Sequence, residues 1–237
     1  MSEMSRDEHA EAWSAIARSP LFSAYIYELH WLACDVVRRA EALFEQTPSP
    51  EPGSGYIKVD PSLSSEIYAL LSDAAKMRLL ITKRQKRRDQ SRDEYEVLIR
   101  RVDTLAGLLS GLSLDAICSA EARHSVEHFD ERLDKTALDI YRDTINKPVN
   151  LPFDLIVWSR AALELLKGTR EPRPEIYPFR VYVASERRFL NAGAEIDIAA
   201  LHDECAAVRD RLAPAVYNPS ERGAFVSVLT ETSFDAA

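Results

Sequence analysis

Glycine and cysteine are both scarce in this sequence. Its 237 residues include 7 glycines, and long stretches contain no proline; both features favour helices over a strand-rich sandwich. The 3 cysteines, Cys34, Cys118 and Cys205, lie far apart and form no C-x-x-C pair of the kind that binds zinc or performs redox chemistry. We interpret them as small buried residues of a protein in a reducing compartment.

A positive net charge and long apolar runs are also missing. The formal net charge is -8, which argues against a protein that coats duplex nucleic acid with its whole surface but leaves a local basic site open. No run approaches the roughly 18–20 apolar residues that a membrane helix needs. The N-terminus, "MSEMSRDEHAEAW", has no apolar signal core. We therefore expect a soluble, cytoplasmic protein with no membrane partner.

Hydrophobic residues make up 46% of the chain, which is enough to build a packed core. Apolar residues at helical spacing predict four long helices, over residues 21–46, 62–82, 91–111 and 114–141. Alternating β-branched and aromatic residues predict a β-hairpin within 179–193, and a last amphipathic helix follows in 197–213.

These elements predict a mainly α-helical fold in two parts. The first is a helical bundle over residues 1–150, interrupted at about 47–61 by a Pro-, Gly- and Ser-rich loop that we expect to be mobile. The second is a small C-terminal extension over 151–237, which holds the β-hairpin and the final helix.

The stretch "EARHSVEHFDERLDK", residues 121–135, carries an unusual set of polar side chains for a helix. At about 100° per residue, its apolar residues fall on one stripe: Ala122, Val126, Phe129, Leu133 and Ala137.

Opposite that stripe lie His124, His128 and Glu131, with Arg123 and Glu127 on one flank. Arg123 and His128 are separated by about 140° around the helix. They can serve one site if a second copy of the helix crosses nearby, so the spacing favours a homodimer.

Residues 123–128, Arg-His-Ser-Val-Glu-His, resemble the motif of the HEPN superfamily, in which an Arg, a polar residue and, a few residues later, a His lie on a late helix of a small bundle. The string "EHFDERLD" also resembles a phrase found in bacterial HEPN-like proteins. The resemblance covers about residues 20–145. It implies a HEPN-like bundle that dimerises so that two Arg/His pairs meet in a cleft.

Many members of that superfamily are metal-independent endoribonucleases, including toxins and antiphage defence effectors, and others keep the bundle without the activity. By resemblance, His128 would be the acid/base residue, Arg123 the phosphate clamp and His124 a supporting residue. Glu127 and Glu131, which lie beside them, are further candidate supporting residues. The residue types suit this chemistry, because imidazole titrates near neutral pH and a guanidinium binds phosphate oxygens in a bidentate manner. No metal and no cofactor would be needed, and the products would carry 2′,3′-cyclic phosphate and 5′-hydroxyl ends.

The segment "KRQKRR", residues 83–88, is the second notable stretch, because it is strongly basic in an acidic protein. It can be an ordinary solvated turn, or it can be an RNA-binding surface near the dimer cleft. The basic residues are Lys83, Arg84, Lys86, Arg87 and Arg88.

Two other interpretations remain open from sequence. His124 and His128 have the i,i+4 spacing that can hold one metal ion, with Glu131, Glu28 and His30 as further candidate ligands. The chain can also be a non-catalytic helical module that binds a protein partner, a nucleotide or a metal. As a toxin, it would instead have an antitoxin or another protein as its partner.

Overall fold

The computed structural model describes residues 20–46, 57–119, 129–143, 149–150, 153–167, 175–176, 179–191 and 194–216. These residues form seven α-helices and seven short strands. The helices are α1 Pro20–Glu45, α2 Leu63–Ile81, α3 Arg92–Leu108, α4 Asp115–Cys118, α5 Phe129–Asp143, α6 Arg160–Lys167 and α7 Ile198–Leu212. The strands are β1 Ile57–Val59, β2 Val149–Asn150, β3 Leu155–Val157, β4 Glu175–Ile176, β5 Arg180–Val183, β6 Arg188–Asn191 and β7 Ala194–Asp197. The predicted mainly helical class is confirmed.

Helix α1 is the centre of the core and packs extensively against α2 and α7. Its buried residues recur every three or four positions, so one stripe faces inward: Leu29, Ala33, Val36 and Ala40 are all fully buried. The alanines leave room for neighbouring helices to approach closely. From α7, Leu201, Cys205 and Val208 enter the same core at the same spacing. The core therefore continues across residue 150, where the sequence predicts the start of the extension.

A five-stranded sheet in the order β1-β3-β5-β6-β7 covers one side of this core. Strands β5 and β6 form the predicted antiparallel hairpin, and β3 runs parallel to β5, with α6 between them in the chain. Ile156, Tyr182 and Phe189 point from one face into the helical core. On the other face, Val157 and Val181 pack against Leu163 of α6.

Strand β7 leads directly into α7, the predicted final helix. Asp197 caps α7, because its side chain accepts a hydrogen bond of 2.8 Å from the backbone N–H of Ala200. The separate parallel pair β2–β4 completes the described strands.

Two expectations for local structure need correction. Residues 57–59 lie in the segment 47–61 that is predicted to be a mobile loop, but they form β1 and pair with β3. Two β-branched residues, Ile57 and Val59, suit this edge position; residues 47–56 lie outside the described part.

The predicted helix over 114–141 is also not continuous. Helix α4 ends at Cys118, because Ser119 has extended backbone angles (φ -56°, ψ 140°). Helix α5 begins at Phe129, and residues 120–128 lie outside the described part.

Candidate functional site

The two predicted catalytic residues, Arg123 and His128, lie outside the described residues, as do His124 and Glu127. We call residues 123–128 the motif segment. The structure describes the chain on both sides of it, with α4 ahead and α5 behind. Glu131 lies in the first turn of α5, and its side chain is exposed.

Helix α4 is held at its N-terminal end by a carboxylate from far along the chain. Glu204 of α7 accepts hydrogen bonds from the backbone N–H groups of Ala116 (3.0 Å) and Ile117 (2.9 Å). The Ser113 hydroxyl donates to the same carboxylate at 3.1 Å. Backbone N–H groups at a helix start lack acceptors within the helix, so the Glu204 carboxylate supplies hydrogen-bond acceptors that α4 itself lacks.

The C-terminal end of α4 is held from α2. Arg78 Nε donates to the Cys118 carbonyl oxygen at 2.8 Å, and cations near the last carbonyls of a helix are favourable. The side chain of Ile117 is fully buried in the core between these two contacts. The start of the chain that leads to the motif segment is therefore fixed against both α2 and α7.

The basic segment, residues 83–88, connects α2 to α3, and both of its ends are anchored. Thr82 ends α2 and binds the Arg78 carbonyl through its backbone N–H (3.0 Å) and its hydroxyl (2.7 Å). Ser91 begins α3 with a capping box, in which Ser91 and Glu94 each bind the other's backbone N–H. The hydrogen bonds from Ser91 lower the pKa of Glu94.

All five cations of the basic segment are exposed. Lys83 pairs with Asp103 of α3 at 2.6 Å, so part of its charge is already matched within the chain. The basic segment therefore lies at the surface between the two caps, where its side chains are accessible to solvent.

Arg78 joins the helix that precedes the basic segment to the helix that precedes the motif segment. It lies five residues before Lys83 and contacts Cys118, which lies five residues before Arg123. Five residues span at most about 18 Å when fully extended. Both segments therefore begin within a short reach of one hydrogen bond.

Helix α5 presents apolar side chains to solvent. Leu133, Leu138 and Tyr141 are 38%, 46% and 69% exposed, and no other described element packs extensively against this helix. Asp130 and Asp134 are also exposed on α5. An amphipathic helix usually buries its apolar stripe, so α5 offers a surface that the described part of the chain leaves uncovered.

All three cysteines carry thiols that burial makes harder to ionise. Burial raises the pKa of the thiol in Cys34, Cys118 and Cys205, so each stays protonated at neutral pH. Cys205 is fully buried, as expected for a small buried residue, whereas Cys34 and Cys118 are only half-buried.

Among the described residues, no group of three His, Cys, Asp or Glu side chains could hold a metal ion. These residues therefore do not support the metal hypothesis. His30, a candidate ligand, is buried in the core instead. Its Nδ1 lies 3.2 Å from the Arg209 carbonyl oxygen and its Nε2 lies 3.5 Å from Cys34 Sγ. Glu28 is on the exposed side of α1, away from His30. Neither residue is placed to share a metal with the other.

Sequence reasoning did not find the arginines that cap helix ends. Besides Arg78, Arg101 donates to the Leu79 and Leu80 carbonyls at the end of α2, both at 3.2 Å. Arg211 does the same for Leu108 (3.1 Å) and Ser110 at the end of α3. Each partner lies 21 or more residues away, so no local pattern identifies it.

No family model matches this chain, and comparisons with curated proteins and with solved structures also find no match. The resemblance to the HEPN superfamily therefore rests on residues 123–134 themselves. Among the described helices, none combines the length and the hydrophobicity of a membrane-spanning segment.

Proposed function

We propose that the protein is a metal-independent endoribonuclease of HEPN type, which cleaves RNA with Arg123 and His128 at a homodimer cleft. The observation that supports the proposal is the hydrogen bond from Arg78 to Cys118, because it joins the helix that leads into the exposed basic segment to the helix that leads into the motif segment. A ribonuclease needs a phosphate-binding surface beside its acid/base residue, and an acidic protein must concentrate that charge locally.

The proposed reaction uses the nucleophile that RNA itself carries. His128 accepts the proton of the 2′-hydroxyl as its oxygen bonds to phosphorus, and Arg123 stabilises the charge on the phosphorane oxygens. The bond to the 5′-oxygen then breaks, and that oxygen takes a proton from a protonated imidazole, which the two-fold axis supplies from the second copy. The exposed apolar surface of α5, which directly follows His128, supports the second copy as its partner.

The test is cleavage of a mixed RNA substrate in EDTA by the wild type and by His128→Ala and Arg123→Ala. We expect 2′,3′-cyclic phosphate ends from the wild type alone, with losses of about a hundredfold or more in both variants. His202→Ala and Arg100→Ala, which remove a histidine and an exposed arginine outside the motif segment, are the matched controls. Equal cleavage by all five proteins would identify a contaminating nuclease and contradict the proposal.

The basic segment is tested separately by RNA binding. Reversing two charges with Arg84→Glu and Arg87→Glu should weaken binding about tenfold or more at low salt and less at high salt, because fewer counterions are released. The double variant Arg38→Glu with Arg100→Glu, at two exposed positions outside the basic segment, changes the net charge equally and should have a small effect. Unchanged affinity in the double variant would exclude the basic segment from the RNA site.

In cells, a toxin or defence component of this kind slows growth when it is expressed without its antitoxin or other inhibitory partner. Wild type should therefore be toxic and His128→Ala should not.

The second candidate function, a non-catalytic module that binds a protein partner, is favoured by the exposed Leu133, Leu138 and Tyr141 of α5. Absence of cleavage by the wild type, together with capture of a partner that Leu133→Asp abolishes, would select that function.

A further inference from the structure

Helix α4 is too short to be stable without contacts to the rest of the fold. It has four residues, and a single helical turn is unstable in isolation because its first hydrogen bond must fix several residues at once. Glu204 supplies two acceptors to its first free N–H groups, one oxygen to Ala116 and the other to Ile117. This contact joins residues 87 or more positions apart in the sequence, so it belongs to the tertiary structure and not to a local cap.

Three contacts together fix α4. Glu204 holds its N-terminal end, Arg78 holds the Cys118 carbonyl at its other end, and Ile117 is fully buried between them. The chain then leaves α4 at Ser119, four residues before Arg123. Moving α4 would move the point from which the motif segment begins.

We infer that Glu204 is a positioning residue, which acts through α4 on the placement of the motif segment. The inference rests on the proposed function, for which it assigns a role to the C-terminal third of the chain. Helix α7 thus has two tasks, since its apolar side packs against α1 while Glu204 on another side fixes α4. A displacement of about 1 Å in a catalytic group can lower the rate about a hundredfold, so we expect loss of the anchor to lower kcat more than it changes KM.

The experiment compares wild type with Glu204→Ala, Glu204→Gln and Asp210→Asn in the full-length chain. Asp210 is also an acidic residue of α7, but it is exposed and pairs with Arg209 at 2.8 Å, so it serves as the matched control. Glutamine keeps one acceptor oxygen at the same reach and should satisfy one of the two N–H groups. Amide exchange over residues 113–128 and kcat and KM for RNA cleavage are measured for each protein.

Glu204→Ala should raise amide exchange in α4 and the motif segment about tenfold or more, because a charged acceptor is lost from a locally anchored turn. It should lower kcat about tenfold to a hundredfold while KM for RNA stays within about twofold. Glu204→Gln should lie between alanine and wild type, and Asp210→Asn should match wild type.

Unchanged exchange in the motif segment, when the Ala116 and Ile117 amides have been freed, would overturn the inference even if the wild type cleaves RNA. Equal losses in Glu204→Ala and Asp210→Asn would also overturn it, because they would indicate general destabilisation. A wild type that does not cleave RNA refutes the proposed function instead. In that case, raised exchange over 120–128 in Glu204→Ala alone still establishes that Glu204 positions this segment.

Discussion

Helices α1 and α5 are both amphipathic, yet the fold uses them in opposite ways. In α1, Leu29, Val36 and Leu43 are buried between α2 and α7. In α5, Leu133, Leu138 and Tyr141 face solvent. The buried residues of α1 thus pack against other parts of the same chain, whereas no described element packs extensively against α5, and these three side chains stay exposed.

This difference separates residues that hold the fold from residues that are available for assembly. Burial of a large apolar side chain stabilises a fold by about 1.5–3 kcal/mol. The contribution to stability is therefore sufficient to explain the apolar stripe of α1, without reference to function. An exposed apolar surface contributes no such stability and is typical of an interface. Substitutions in α1 should therefore act on folding, and substitutions in α5 should act on association.

Replacing a leucine by alanine in each of the two helices should give the largest difference in the free energy of unfolding. Leu29→Ala removes a fully buried side chain and should lower the free energy of unfolding by about 2–5 kcal/mol. Leu133→Ala, at a partly exposed position, should lower it by less than about 1 kcal/mol. Urea denaturation followed by circular dichroism, at a concentration where the protein is monomeric, measures both; similar losses would show that α5 is part of the core.

Ion pairs repeat the contrast between buried and exposed positions. Arg180 and Asp154 form a largely buried ion pair, in which Nη2 donates a hydrogen bond of 3.0 Å to Oδ2, while Nε lies 2.8 Å from Oδ1 without the geometry of a hydrogen bond. Asp154→Asn should cost about 2–4 kcal/mol of unfolding free energy, because the Arg180 charge keeps its desolvation cost without its partner. Asparagine also tolerates the left-handed backbone of residue 154 (φ 58°), so the loss reports the charge and not backbone strain.

A loss below about 1 kcal/mol in Asp154→Asn would show that solvent screens this pair as it screens exposed ones. Asp154→Ala is the companion variant, and it should lose more than asparagine because alanine is less well suited to the left-handed backbone.

The elements defined by repeated local patterns were predictable from sequence. Helices α1, α2 and α7 and the β5–β6 hairpin follow from apolar spacing alone, because one side of each element is buried. The end of α4 at Cys118 was not predictable, since the residue that binds its carbonyl, Arg78, lies 40 positions earlier. Strand β1 was missed because three residues carry too little periodicity to stand out beside a Pro- and Gly-rich loop.

For the candidate site, sequence supplied the residue types and their spacing but not their anchors. Imidazole and guanidinium groups on one segment suggest phosphate chemistry because of what those groups do. Glu204 gives no such signal, since an acidic residue on an amphipathic helix usually faces solvent. Its role depends on which backbone N–H groups the fold brings beside it, and that is a property of tertiary structure.

The α5 surface can be tested directly through association. Leu133→Asp places a charge on the exposed apolar stripe and should raise the dimer dissociation constant about tenfold or more, because it would be desolvated at the interface. Sedimentation analysis over a range of protein concentrations measures this. Asp139→Ala, an exposed position away from the stripe, is the control. Dimerisation that persists unchanged in Leu133→Asp would place the interface elsewhere.

The smallest expected effect concerns an exposed ion-pair network, where solvent screens each contact. Glu195 accepts a hydrogen bond of 2.6 Å from Arg160 and another from Arg188, and these bonds lower the pKa of Glu195 from its ordinary value of 4.5. A lowered folded-state pKa contributes stability above the unfolded-state value, and that contribution is lost as pH falls through the folded-state value.

The difference in unfolding free energy between wild type and Glu195→Gln should therefore be small at pH 7, vanish in acid and shrink in 1 M salt. The same substitution in an Arg188→Ala background should give a smaller difference, and a difference that grows towards low pH would contradict the assigned cause.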